Sequence, residues 1–185
     1  LWIDVNPKFI NKLEKKIKKN SRTLDLIVSK ITPKNINNII KKSQKFNKIK
    51  EIDFLSIDID SYDIACIKEL ETLSPRLICI EYNSKIRPPT KLKINKIKNF
   101  KWEYDDYFGS SLRSIDEVMQ KKGYKLIATN ITGSNAFYLK NKLTKFSRTK
   151  DQTLEELYSP PNFELFNYSV SHAPTNKYLI DKLNE

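Results

Sequence analysis

Two nearly continuous apolar runs, each ending in an acid, constrain the fold of this chain more than any other feature. The first is Asp53-Phe-Leu-Ser-Ile-Asp-Ile-Asp60 and the second is Arg76-Leu-Ile-Cys-Ile-Glu81. Between them Ile64, Ile67, Leu70 and Leu73 recur at helical spacing after Ser61, and Pro75 separates that helix from the second run. Continuous apolar runs suit strands covered on both faces, as in a parallel sheet between helix layers. The same alternation holds upstream. Leu1-Trp-Ile-Asp-Val5 reads as a short strand, and Asn6-Pro7 supplies an N-cap with a favoured first helical residue. Phe9, Leu13 and Ile17 then mark an amphipathic helix over residues 7–19. Leu24 to Val28 is strand-like, and Thr32-Pro33 caps a helix with the stripe Ile36, Ile39, Ile40 and Phe46. Strand and helix thus alternate through residue 81, which predicts an open, Rossmann-like α/β sheet, mostly parallel.

Downstream the pattern changes. Residues 84–106 are irregular, with Pro88-Pro89, a lysine-rich stretch, Trp102 and Tyr104. Leu112, Ile115, Val118 and Met119 predict a helix over 111–122 that stops at Gly123. Tyr124–Thr129 and Asn135–Lys140 read as strands, and the Asn-Ile-Thr-Gly-Ser between them holds turn chemistry, so an antiparallel hairpin closes the sheet. Residues 1–141 therefore read as one α/β domain. Residues 142–185, with Pro160-Pro161 and scattered aromatics, read as an extension packed on it.

A chain of 185 residues with 39% hydrophobic side chains can bury a real core. No apolar run approaches ~18 residues, so no membrane span is expected. Cys66 and Cys79 are too few for a disulfide scaffold and fit a reducing compartment, and no secretory signal pattern is present, so the expected location is the cytoplasm. The net charge of +12 invites an anionic partner. Composition offers a plainer account, because 29 Lys stand against 5 Arg, and Lys, Asn and Ile together make 69 of 185 residues, as an AT-rich genome would give. Phosphate and base readers lean on Arg, and the basic residues spread along most of the chain, so nucleic acid is not the expected partner.

In an open α/β sheet, ligands bind beyond the carboxyl ends of the strands. The candidates there are Asp4, then Ser29 and Lys30, then Asp58 and Asp60, then Glu81 and Asn83. Three strands finishing in acids exceeds what composition predicts, and a buried acid is costly unless paired or used. Asp60 or Ser61 also suits the N-cap of the following helix, whereas Asp58, expected inside the strand, has no such account. Asp58, Glu81 and Asn83 offer hard oxygen donors suited to magnesium or calcium, and the same carboxylates suit general-base work. The sole histidine, His172, lies in the weakly patterned tail, which argues against a Ser-His-Asp triad or a His-rich zinc site. Gly109, Gly123 and Gly133 form no phosphate-binding loop, and both cysteines read as core. Trp102, Tyr104, Tyr107 and Phe108 either shape a substrate pocket or pack a loop onto the sheet.

Four blocks together resemble the FkbM-type, S-adenosylmethionine-dependent methyltransferases. They are Ile52-Asp-Phe-Leu-Ser-Ile-Asp-Ile-Asp-Ser-Tyr-Asp63, Pro75-Arg-Leu-Ile-Cys-Ile-Glu-Tyr-Asn83, Asp106-Tyr-Phe-Gly-Ser-Ser-Leu112 and Gly133-Ser-Asn-Ala-Phe-Tyr138. With the opening strand they cover about residues 1–140. The resemblance implies the class I methyltransferase fold, a seven-stranded sheet whose last strand is antiparallel. It implies that Asp4 holds the cofactor ribose, that Ser29 and Lys30 lie near the adenine, and that Asp58 and Asp60 stand beside the transferred methyl group. Asp58, Asp60 and Glu81 are then the candidate base or, with Asn83, magnesium ligands, and Tyr82, Tyr107 and Phe108 the candidate substrate contacts. The acceptor class it suggests is a small-molecule or glycan hydroxyl.

One part of the family pattern is not in this sequence. The first strand and its Gly-rich loop, which cradle the cofactor's methionine part, would precede Leu1, so the chain reads as a fragment with a gap between the second and fourth strands of the family sheet. Two other readings stand beside the enzyme: a truncated or inactive relative acting as a binding module, and a basic nucleic-acid binder using a stretch such as Lys91–Lys101.

Overall fold

A computed structural model of the chain describes residues 1–17, 24–44, 46–60, 62–94, 103–162 and 177–183. These described residues form an α/β protein with two open sheets and no closed barrel among them. The elements run β1 (Trp2–Asp4), α1 (Pro7–Ile17), β2 (Leu26–Val28), α2 (Ile36–Lys42), β3 (Glu51–Ile57), α3 (Asp63–Glu69) and β4 (Ser74–Glu81). They continue with α4 (Leu112–Lys121), β5 (Tyr124–Thr129), β6 (Asn135–Lys140), a 3-10 turn (Asn141–Phe146), α5 (Leu154–Leu157) and α6 (Lys177–Leu183). No described helix is long and apolar enough to cross a membrane.

The chain divides into two compact units, Leu1–Ile52 with Ala65–Ser74, and Asp53–Ile64 with Pro75–Glu185. In the first, β1 and β2 pair in parallel, Ile3 opposite Ile27, and α1 packs on the pair. Asn6 caps α1 as expected, its Oδ1 accepting the Lys8 and Phe9 amides. Leu13 and Ile17 are half-buried and Ile10 is buried, while the lysines face outward. Helix α2 starts later than Thr32-Pro33 suggests and ends before Phe46. Thr32 and Pro33 belong to the preceding turn, which Asn35 closes by accepting the Thr32 amide on Oδ1 and donating from Nδ2 to the Lys30 carbonyl. Asn37 ties α2 to the end of α3. Its Nδ2 donates to the Glu69 carbonyl at 2.6 Å, and its Oδ1 accepts from the Glu71 and Thr72 amides and the Thr72 hydroxyl.

The second unit holds a four-stranded mixed sheet in the order β3-β4-β6-β5. The hairpin expected from the Asn130–Ser134 turn forms with its predicted boundaries, and β6 lies between β4 and β5, antiparallel to both. Asn130 builds the turn by accepting the Ser134 and Asn135 amides on Oδ1. Pro75 is not a separator but the second residue of β4. Its carbonyl accepts the hydroxyl of Tyr124 at 2.7 Å. Ile78 and Ile80 of β4, Tyr82 just past its end, Leu112, Ile115 and Met119 of α4, and Tyr138 of β6 are buried in this unit. Ser111 caps α4, its Oγ accepting the Ser114 amide.

The segment after β6 is part of this unit. A capping box between Thr153 and Glu156 starts α5, and Leu154 is buried. Residues 157–162 then strap across the hairpin and the end of β4. Thr129 Oγ1 donates to the Leu157 carbonyl, Tyr82 Oη to the Ser159 carbonyl at 2.6 Å, and Tyr158 Oη to the Ser84 carbonyl. At Gly133 (φ +71°) the strap runs so close that a Cβ would lie 2.3 Å from the Pro160 carbonyl oxygen.

Candidate functional site

The expected site residues fall in both units. In the first, Asp4 ends β1, and Ser29 and Lys30 follow β2. The parallel register sets these ends side by side, with Asp4 opposite Val28 and the Ser29 amide donating to the Asp4 carbonyl at 2.9 Å. The Asp4 carboxylate is half-buried and accepts the Asn6 amide on Oδ1 at 2.7 Å, which shapes the turn into α1. Lys30 is exposed, and its carbonyl serves the Asn35 turn.

The second unit gathers the acids. Strand β3 ends at Ile57, so Asp58 stands just past the strand and not inside it. Asp60 does not cap α3. Its φ of +49° puts it in the left-handed region that Asp tolerates in turns. Asp63 instead heads α3, and its Oδ1 accepts the Ile59 amide at 3.1 Å, closing the β3–α3 turn. Ser61, the other expected cap, lies outside the described residues, as do Trp102, most of the Lys91–Lys101 stretch and His172.

Glu81, half-buried at the end of β4, is the most perturbed carboxylate of the group. Burial, then the charges of Asp58, Asp63 and Asp60, push its pKa up to about 8. Asp58, one strand away, is also held above the usual carboxylate range, first by desolvation and then by Asp60. Glu81 therefore keeps its proton near neutral pH, while exposed Asp58 and Asp60 face water. Such a pair of environments separates an acid that holds a proton from acids nearer the solvent. Two residues before Glu81, burial raises the Cys79 thiol. Cys66 is buried too, and the raised Cys79 thiol lacks the thiolate character of a reactive cysteine.

Asn83 is buried and organises the loop beyond β4. Its Nδ2 donates to the carbonyls of Asp106 (2.7 Å) and Phe108 (3.1 Å), and its Oδ1 accepts the Lys85 amide. Its own amide donates to the Ser110 carbonyl. Lys85 Nζ lies 3.8 Å from Asp106 Oδ2. Near this junction the Asp106 Oδ1 and Ser110 Oγ atoms are buried with no hydrogen-bond partner among the described residues. Tyr107 packs with Ile86 and Ile94, the loop-packing alternative, and its hydroxyl donates to Asp181. Tyr82 is buried, its hydroxyl held by the strap, and burial pushes its pKa up to about 12. Phe108 is half-buried.

Among the described residues no group of three or more His, Cys, Asp or Glu side chains is arranged to hold a metal ion. Asp58 and Glu81 nonetheless have the donor chemistry of a hard-cation site, and the repulsion that adds to burial in raising each pKa, from Asp60 on Asp58 and from Asp58, Asp63 and Asp60 on Glu81, is what a divalent cation relieves. Sequence reasoning passed over Asp63, Ser159 and Tyr158. Asp63 was findable as an acid in the first turn of a helix, where the dipole favours it. No local signal marks the other two, because their contacts join residues more than 70 positions apart. No family model, curated protein or solved structure matches the chain.

Proposed function

We propose that this chain is an S-adenosylmethionine-dependent methyltransferase that methylates a hydroxyl group, as its resemblance to the FkbM-type enzymes and their class I fold suggests. The observation that carries the reading is the carboxylate group at the ends of β3 and β4, with half-buried Glu81 protonated near neutral pH beside exposed Asp58. The antiparallel last strand β6 agrees with that fold. In this reading Asp4 accepts hydrogen bonds from the cofactor ribose hydroxyls, and Ser29 and Lys30 border the adenine. S-adenosylmethionine supplies an electrophilic methyl group. Glu81, in its ionised form, takes the proton of the acceptor hydroxyl, and Asp58 and Asp60 orient that hydroxyl. If magnesium takes part, Asp58 and Glu81 hold it with Asn83 beside them, and half-buried Phe108 borders the acceptor.

The test is calorimetric titration of S-adenosylhomocysteine, with and without magnesium, into this chain and into one extended upstream. Binding to either chain that weakens at least tenfold in Asp4→Ala supports the proposal. Absence of binding to both, with both folded, overturns it. An acid-lined site repels phosphate, so nucleic acid is not proposed as the substrate of this site.

A further inference from the structure

We infer that the first unit carries a separate, sequence-independent binding surface for single-stranded polynucleotide on the outer face of α1. The charge is not shared evenly. The 62 residues of the first unit hold 15 basic and 6 acidic side chains, a net of +9, whereas the 123 residues of the second hold 19 and 16, a net of +3. An AT-rich codon bias acts on the whole chain and explains the abundance of lysine, but not why acids balance it in one unit and not in the other.

On α1, Lys8, Lys12, Lys15 and Lys16 stand at i, i+4, i+7 and i+8, a single stripe about 100° wide. All four are exposed, and none takes part in an ion pair among the described residues. The pairs Arg76–Asp53, Lys85–Asp106 and Lys91–Glu117, by contrast, lie in the second unit. A row of like charges at i, i+4 costs helix stability, and a polyanion relieves that cost. Phe9 borders the stripe, 47% exposed, and its ring centroid lies 6.3 Å from that of Trp2, also 47% exposed. Ammonium groups for the backbone beside exposed aromatic faces for the bases are the two components of a single-strand binding surface. With Lys instead of Arg, the surface contacts phosphate without the planar fork that reads bases, hence no sequence preference. An anionic membrane fits less well, because an interfacial helix inserts its apolar face and that of α1 (Ile10, Leu13, Ile17) packs on the β1–β2 pair.

The experiment is fluorescence anisotropy of a labelled oligodeoxythymidylate about 20 nucleotides long, titrated with the full chain between about 50 and 200 mM salt. Replacing the four α1 lysines by Gln is expected to weaken binding and flatten the log–log salt slope by about 3, since each phosphate contact on a single strand contributes ~0.7. A control with Lys121, Lys142, Lys145 and Lys150 changed to Gln keeps the wild-type slope. Phe9→Leu weakens binding about tenfold at unchanged slope, as loss of one stacked base would. Three outcomes overturn the inference: no binding at low salt, equal losses in both lysine variants with both folded, or tight binding to phosphatidylserine vesicles without binding to the oligonucleotide. None of these bears on S-adenosylhomocysteine binding, so this proposal and the methyltransferase reading stand or fall separately.

Discussion

Glu81 shows how one side chain couples the candidate chemistry to folding. Its pKa is raised from 4.5 to about 8, so the protonated form is favoured in the fold. The associated stability is fully present below the unfolded pKa and is lost as pH rises through about 8. At ~1.4 kcal/mol per pH unit the loss is at most ~5 kcal/mol. Urea unfolding measured from pH 5 to 9 should show that decline in the wild type, and Glu81→Gln should flatten it and be the more stable protein at pH 9. Gly133 gives a second prediction at this scale. Gly133→Ala places a Cβ 2.3 Å from the Pro160 oxygen at a φ of +71°, so it should destabilise by about 2–4 kcal/mol and increase proteolysis within 153–162. The two residues differ in how far sequence alone reveals them. Glu81 was legible because an acid closing a continuous apolar run is anomalous by itself. Gly133 read only as a turn residue, since its close approach to Pro160 depends on a strap whose path has no periodic signature.

At the scale of elements, the parts set by local pattern or turn chemistry were legible, and those set by side chains reaching across the fold were not. The boundaries of β5 and β6 follow from turn residues between two alternating runs, and Gly123, at φ +82°, stops α4 where expected. Helix α2 starts later than its sequence suggests because Thr-Pro can open a helix or close a turn, and here the Asn35 side chain decides for the turn. Asn37 illustrates the second class. In sequence it is one of many asparagines, yet it supplies four hydrogen bonds that join α2 to the end of α3. Asn37→Ala should cost about 2 kcal/mol, several net hydrogen bonds discounted for partial exposure, as read by chemical denaturation. Thr153→Ala, which removes the capping box of α5, should cost about 1 kcal/mol, and hydrogen exchange should show the opening confined to the strap.

At the scale of the whole molecule, the sequence announced an open α/β architecture through the alternation of its first 81 residues, but the division into two units was hidden. The contacts that set it, such as those holding residues 65–74 to the first unit, are long-range. The lopsided charge was hidden with it, because it emerges only when residues are grouped by unit and not by position. Self-repulsion in a unit of net +9 should be relieved by screening. Raising salt from about 50 to 500 mM should therefore increase hydrogen-exchange protection of α1 and α2 amides more than that of β4 and β6. The placement of β6 between β4 and β5 has a further consequence, for synthesis. β4 and β6 pair through Leu77–Glu81 and Asn135–Leu139, so a ribosome releases the most apolar strand of the sheet well before the strand that covers its edge. Until residue 140 emerges, β4 presents an open, sticky border. The interval between making that border and sealing it is when a newly made chain is most exposed to mispairing and most in need of a chaperone.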